Sequence, residues 1–282
     1  VIPMKIPRPF IVGCDFAGTV EAVGPGASQF PPGMRVWGTN QGLLGRQGTF
    51  AEWIVVGEEW IYPTPDGIAD ATIAAVALVG ITAHLGLFRN AKLQPSELVF
   101  VHGGTGGVGS MVIQMAKAIG ARVATTAGSN VKIERCLELG ADRAIDYKSE
   151  DVVECIRAFA PDGMQVWFET LRDPDFDMAI DRLAEGGRMV VMAGRDARPP
   201  FPVGPFYVKG CQLFGFVMFK ATPDQQRHAA TDVNQWLVAG KLQPQIDRIV
   251  SLEETPAMHA LQEANTIRRA GTLSGKIVVR LD

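Results

Sequence analysis

The chain has 282 residues, 47% of them apolar, with 27 basic and 30 acidic side chains and a formal charge of −3. This length fits two domains better than one, and the near-neutral balance offers no basic field for nucleic acid or an anionic membrane, so a small neutral substrate fits better. No apolar run reads as a membrane span of about 20 residues and no signal-peptide pattern is present, so a cytoplasmic protein without membrane or nucleic-acid partners is expected.

The chain opens at Val1, without an initiator Met or a first strand ahead of the proline-punctuated VIPMKIPRPFIVG. It reads as a cut start, with trimming, unnumbered residues and a true fragment all compatible. Residues 11–65 carry short β-branched runs, DFAGTVEAVG, MRVWG and TFAEWIVVG, bracketed by turn residues such as Gly24-Pro25-Gly26 and Pro31-Pro32-Gly33. That spacing predicts a small β-rich unit. After Pro63 and Pro65 the texture becomes IADATIAAVALVGITAHLGLF, a helix with Asp70 and Thr72 near its start, which marks a domain boundary.

Residues 98–109, LVFVHGGTGGVG, carry the clearest signal: an apolar strand runs straight into a glycine-rich turn that opens a helix, with Met111, Val112, Met115, Ala116 and Ile119 at helical spacing. Gly104, Gly106 and Gly109 keep the spacing of a dinucleotide-binding fingerprint. The first allows the tight turn, the second lets backbone N–H groups approach a pyrophosphate, and the third lets helix and strand pack closely. Strands are expected at 122–126, 143–147, 165–169, 188–192 and 211–216, with helices in the intervals, for example 131–139 ended by Gly140. The fold class is therefore α/β, with a doubly wound parallel sheet. A helix at 223–239, a strand at 247–250, a helix at 255–264 and a strand at 276–281 return to a mixed texture that rejoins the N-terminal unit and makes it discontinuous. The expected domains are 1–75, 76–216 and 217–282.

The second strand of such a fold ends beside the adenosine ribose, where an acid accepts from the 2′-hydroxyl of NAD. Here the strand ends ATTAGSNVK, without an acid. Ala127, Gly128 and Ser129 leave space, Ser129 can donate to a phosphate, and Lys132 follows one turn on, so NADPH is favoured over NADH.

These residues, with GCDFAGTVEAVG at 13–24, GMRVWG at 33–38, GTFAEWIVV at 48–56, LVGITAHLGL at 78–87, LGADRAIDY at 139–147 and GKIVV at 275–279, resemble the medium-chain dehydrogenase/reductase superfamily in its zinc-independent NADPH:quinone oxidoreductase-like branch. The resemblance runs almost end to end. It implies a GroES-like β-rich domain split around a Rossmann domain, and a 2′-phosphate held by a lysine and a tyrosine at the interval kept by Lys132 and Tyr147. A solvated strand-end role for Tyr147 is the bland alternative. By matching position, the loop Gly104, Thr105, Gly106, Gly107, Val108 and Gly109 lies along the pyrophosphate and Thr170 borders the adenosine side. Ala193 and Gly194, with Phe214, Gly215 and Phe216, line the nicotinamide slot. Thr82 matches the family threonine whose hydroxyl faces the cofactor; it is the one catalytic candidate, and a hydroxyl bonded back to its own helix is the alternative.

Zinc members carry His-Glu where this chain has Cys14-Asp15 and a cysteine within its LVGIT stretch, and no cysteine lies between Trp37 and Phe50, so no metal is expected. The four cysteines, Cys14, Cys136, Cys155 and Cys211, are scattered and read as free thiols. The expected reaction is hydride transfer from NADPH to a quinone or α,β-unsaturated carbonyl, the protein holding both in near-attack geometry. Two rivals stay open, an enoyl-thioester reductase, whose family tyrosine would precede Val1, and a non-catalytic NADPH-binding protein. The stretch 211–219, CQLFGFVMF, is apolar and reads as a sheet edge, and the resemblance, whose dimers pair through this edge, implies a homodimer.

Overall fold

The computed structural model describes residues 9–268 and 270–281; the proline-punctuated residues 1–8 lie outside them. The chain divides into two compact units, Thr82–Val217 and a discontinuous one made of Val1–Ile81 with Met218–Asp282.

The Thr82–Val217 unit is a parallel sheet of six strands: β4 (Leu98–His102), β5 (Arg122–Ala127), β6 (Arg143–Asp146), β7 (Met164–Glu169), β8 (Leu183–Val191) and β9 (Gln212–Gly215). Their spatial order is β6-β5-β4-β7-β8-β9, so the crossovers change direction between β4 and β7, the switch point where a doubly wound sheet binds its ligand. The intervening helices are α2 (Gly107–Ala118), α3 (Asn130–Glu138), α4 (Val152–Phe159), α5 (Phe176–Arg182) and α6 (Val203–Val208). Caps stop the helices where the sequence changes: Asp151 accepts from Glu154 N–H ahead of α4 and Asp175 from Met178 N–H ahead of α5. One face of the sheet is filled by Phe100, Trp167, Met189, Ile145 and Ile156, with Phe100 and Trp167 rings 4.2 Å apart. Burying such rings contributes about 2–3 kcal/mol each.

The other unit holds an antiparallel sheet, β1 (Phe16–Thr19), β2 (Arg35–Gly38) and β3 (Ile61–Pro63), and a parallel pair, β10 (Ile246–Ser251) and β11 (Lys276–Arg280). Helix α7 (Pro223–Val238) opens with a capping box, Thr222 with Gln225, and α8 (Thr255–Thr266) follows β10. Asn234 on α7 stitches the two halves of the sequence together: its Oδ1 accepts from Trp37 Nε1 at 3.1 Å and its Nδ2 donates to Pro63 O at 2.9 Å. Trp37 and Tyr62 are almost wholly buried, their rings 4.9 Å apart.

Helix α1 (Asp70–His84) crosses the boundary between the units along the chain and widens into a π turn at Leu85–Asn90. It has no polar stripe. Among the described residues, Asp70–Asn90 is one helix long and apolar enough to cross a membrane, which corrects the expectation that no such run exists; 72% of its most apolar window is buried inside the protein.

The β-branched run TFAEWIVVG at 49–57, expected as part of the β-rich unit, forms no strand. Residues 49–56 follow bends and open backbone, with Val55 fully exposed and Trp53 69% exposed. β-Branched composition suits a pleat, but without a partner backbone a strand has no ladder. The three-residue strand β3 and the six-residue α6 are too short to show a period.

Candidate functional site

The fingerprint loop joins β4 to α2 with very little room. A Cβ on Gly104 would lie 2.3 Å from Thr125 Oγ1, and one on Gly109 would lie 2.2 Å from the Gly103 carbonyl, so both glycines let helix and strands close on each other. Gly106 is exposed and stands at the N-cap of α2 with no side chain bonding the helix start. The N–H groups of Gly107, Val108 and Gly109 thus open the helix without a side-chain acceptor, and the macrodipole favours an anion there. β5 holds the loop from beneath: Gly103 N–H donates to Thr126 Oγ1 and Gly104 N–H to Thr126 O, both at 3.2 Å, while Thr125 Oγ1 donates to Val101 O at 2.7 Å. Neither threonine was singled out in the sequence; the adjacent pair at the end of an apolar strand was the available signal.

At the end of β5, Ser129 is the extended N-cap of α3 and makes no side-chain bond to that helix, and Lys132 stands in its first turn. Tyr147 follows β6, its N–H donating to Ala127 O at 3.3 Å, and its ring tip covers Gly128. The acid at the end of β6 faces its own turn: Asp146 Oδ1 accepts from Lys148 N–H and Oδ2 from Ser149 Oγ, each at 3.0 Å.

Beyond the switch point, Thr170 closes β7 and donates its hydroxyl to the His102 carbonyl. Ala193 and Gly194 follow β8, and Phe214, Gly215 and Phe216 lie at the margin by β9, both rings half-buried and the space over Gly215 open. The sequence-derived residues from Tyr147 to Phe216 thus lie along the C-terminal edge of one sheet, about 24 Å across for six strands at 4.8 Å spacing. Thr82 is buried on α1, two residues before that helix ends. Glu169 escaped the sequence reading. It is fully buried and lies opposite His102 in the register of β4 and β7. An acid ending an apolar strand was its only mark.

In the discontinuous unit, Cys14 and Asp15 line a cavity of ≈ 630 Å³ together with Phe16, Phe50 and Lys276. Thr39 Oγ1 donates to Asp15 Oδ1 at 2.6 Å, leaving its lone pairs to the Cys14 thiol at 3.5 Å, and Lys276 Nζ lies 3.3 Å from Asp15 Oδ2. Burial, then the neighbouring Asp15 carboxylate, push the Cys14 thiol up to about 11. Zinc needs a thiolate or imidazole set with three protein ligands. A lone thiol beside an ion-paired carboxylate falls short of that set, and among the described residues no group of three ligand side chains forms around Cys14.

The alcohol dehydrogenase GroES-like domain family matches residues 2–66, and the zinc-binding dehydrogenase family matches residues 107–236. A quinone oxidoreductase of Sus scrofa is 28% identical over 91% of this chain and 77% of its own length. The trans-enoyl reductase pgmF of Aspergillus terreus is 30% identical over 97% of this chain and 78% of its own. Among solved structures, an NAD-dependent alcohol dehydrogenase superposes with a TM-score of 0.86 at 27% identity, covering 98% of this chain and 84% of that one. A mycobacterial protein complexed with NADPH gives 0.83 at 25% identity, covering 99% and 85%. The doubly wound sheet, the split GroES-like unit and these relatives agree: the chain is an oxidoreductase of the medium-chain dehydrogenase/reductase superfamily, in its quinone oxidoreductase-like branch.

Proposed function

We propose that the chain is an NADPH-dependent reductase that delivers hydride to a quinone or α,β-unsaturated carbonyl without a metal. One observation carries the cofactor choice. At the ends of β5 and β6 stand Ser129, Lys132 and Tyr147, two hydroxyls and an ammonium, while the Asp146 carboxylate is taken up by its own turn, through Lys148 N–H and the Ser149 hydroxyl. An NAD-selecting site needs the reverse, a carboxylate free for the ribose 2′-hydroxyl. The mycobacterial neighbour complexed with NADPH supports the reading.

Bound nicotinamide would supply the hydride. The chain's own part is positional: Gly104, Thr105, Gly106, Gly107, Val108 and Gly109 hold the pyrophosphate at the α2 N-terminus, Thr170 borders the adenosine side, and Ala193, Gly194, Phe214, Gly215 and Phe216 fix the nicotinamide face. Thr82 presents a hydroxyl from α1. Excluding water and fixing approach geometry are what such a site adds to a hydride transfer. The donor set at Cys14 does not favour zinc, which points to acceptors that take charge into a conjugated system. The trans-enoyl reductase relative favours a second acceptor of that class, an enoyl thioester.

Stopped-flow oxidation of NADPH and NADH with a quinone, an enone and an enoyl-CoA tests both choices. Turnover with NADPH and at least one acceptor is expected, with Lys132→Glu weakening NADPH binding tenfold or more and NADH binding little. Equal losses for both nucleotides would remove the cofactor assignment, and tight NADPH binding without turnover of any acceptor would leave a non-catalytic binding protein.

A further inference from the structure

We propose that Asn40 and Arg46, in the loop after β2, form a binding site for a carboxylate. The site rests on these residues alone; only its use, the selection of acceptors that carry a carboxylate, rests on the reductase reading above. Asn40 is fully buried and holds a left-handed backbone at φ 69°, which asparagine enters more readily than most side chains. Its amide has no partner: among the described residues neither Oδ1 nor Nδ2 is hydrogen-bonded, and no other side chain is left empty at both polar atoms. Buried polar side chains are as a rule paired, so an amide empty at both ends calls for a partner from outside the chain.

Arg46 is the charged half of the site. Its Nε donates to the Asn40 carbonyl at 2.9 Å and its guanidinium lies over the Trp60 ring, 4.9 Å from the centroid, so the fork is held by an edge and a face. Nη2, one carbon beyond that Nε, is buried and bonds nothing, and among the described residues no carboxylate pairs with this charge. The Asn40 amide carbon is three bonds from the carbonyl that Arg46 holds, so both unbonded groups lie within a side chain's length of one oxygen. A half-buried guanidinium without a counter-ion needs an anion. Two free donors, one of them charged, suit the two oxygens of a carboxylate; a phosphate would leave a third oxygen and a second charge unmatched. Asn40 Oδ1 then accepts from water or from a hydroxyl on the ligand.

The loop is anchored at its base. Gln47 Oε1 accepts from Ile11 N–H and Gln47 Nε2 donates to Pro9 O, both at 2.8 Å, while Gly42 N–H donates to Gln47 O at 2.9 Å. Its start rests on the cavity wall, where Asn40 N–H bonds the Cys14 sulfur and Gln41 N–H the Cys14 carbonyl at 3.3 Å. The tip is open: Leu44 is 54% exposed and a Cβ on Gly45 would meet nothing within 4 Å. As the loop lies it covers the pair, and the ligand enters by a shift of this tip. The chain's overall charge suits a neutral partner, and this one local guanidinium adds an anionic group to it.

Calorimetric titration of 4-oxopentanoate, a saturated keto acid, and of 2-pentanone, its neutral counterpart, reads the site without turnover. The unmodified protein, Arg46→Gln, Asn40→Gly and Asn40→Asp are compared, with thermal melts alongside. Glycine keeps the left-handed backbone and removes the amide, whereas aspartate keeps the shape and puts a carboxylate where the ligand's would go. The keto acid is expected to bind about tenfold or more tightly than the ketone, to lose about tenfold or more in Arg46→Gln and Asn40→Gly, and not to bind Asn40→Asp. Asn40→Asp should melt no lower than the unmodified protein, because its new charge pairs with Arg46, so this arm decides even where Arg46→Gln lowers the melt. Equal binding of the two ketones, or keto-acid binding that survives Asn40→Asp, would overturn the proposal. With NADPH, 4-oxo-2-pentenoate should be reduced in preference to 3-penten-2-one, a preference that Arg46→Gln removes through a raised KM. Binding of 4-oxopentanoate with reduction of neither enone would leave the site standing and remove the reductase reading.

Discussion

His102 Nδ1 donates to Glu169 Oε2 at 2.8 Å, tying the end of β4 to the end of β7 at the switch point of the sheet. The Glu169 side chain is fully buried and takes two more donors, Trp167 Nε1–H at 3.2 Å and Leu171 N–H at 2.8 Å. Its neighbour Thr170 bonds the His102 carbonyl, so one carboxylate orders both the loop after β7 and the strand that feeds the fingerprint. Removing the acceptor strands three donors, whereas removing the imidazole leaves the carboxylate two. Glu169→Ala is therefore expected to destabilise the protein by about 3–5 kcal/mol and His102→Ala by about 1.5–3 kcal/mol. Urea unfolding at neutral pH checks the order; a larger loss for His102→Ala would sink the account of Glu169 as the hub.

That pairing shows where sequence reading stops. His102 and Glu169 are 67 positions apart, and neither residue's type announces the other. The strand–turn–helix from Leu98 to Ala118 was legible because apolar runs, glycine spacing and helical periodicity all agree there. The ends of β5 and β6 were legible as residue types, and the contact of Tyr147 with Gly128 was not, because it depends on strand register. The β-branched run at 49–57 forms no strand for a related reason: composition states a preference, and pairing decides.

The acid at the centre of the motif LGADRAIDY contributes stability rather than chemistry. This acid, Asp142, receives Lys117 Nζ on both carboxylate oxygens at 2.9 Å and Val123 N–H at 2.7 Å, joining α2 and β5 to the turn before β6. Burial raises its carboxyl, but the Lys117 ammonium and the Val123 N–H outweigh this and hold it below its ordinary value of 3.8. A depressed carboxyl stabilises the fold fully above the unfolded value and loses that contribution as pH falls through the folded one. Asp142→Asn should then cost about 1 kcal/mol at pH 7, with the gap to the unmodified protein closing below about pH 4. A difference that stays constant from pH 7 to pH 3 would reject the ion pair as its source.

None of the four cysteines is in a disulfide, and the thiols differ in a way that alkylation can read. Burial pushes Cys136 up to about 12, with Arg135 opposing, and burial followed by Asp15 takes Cys14 to about 11. Cys14 nonetheless lines a cavity, so its reactivity is limited by proton loss rather than by access alone. At pH 8 about one thiol in a thousand would be ionised there. In a variant keeping only Cys14, the rate of N-ethylmaleimide labelling is expected to rise about tenfold per pH unit from 8 to 10. Fast labelling at pH 7 that levels off by pH 9 would contradict the elevated thiol. The same protonation protects Cys14 from electrophilic acceptors of the kind proposed as substrates.

β9 pairs with β8 on one side only, and its other edge presents unpaired backbone among the described residues. Leu213 on it is 41% exposed, and α6 just before it exposes Val203, Tyr207 and Val208 at 62–70%. An open edge beside a cluster of exposed apolar side chains is an aggregation hazard unless something covers it, and a second copy related by a twofold axis can do so by pairing the two edges. We therefore expect a homodimer through β9, and light scattering of the unmodified chain should give twice its own mass. Leu213→Asp places like charges opposite each other across such an axis, so the variant should run as a folded monomer with an unchanged far-ultraviolet spectrum. A monomeric mass for the unmodified chain, or a Leu213→Asp variant that stays dimeric, would place the interface elsewhere or remove it.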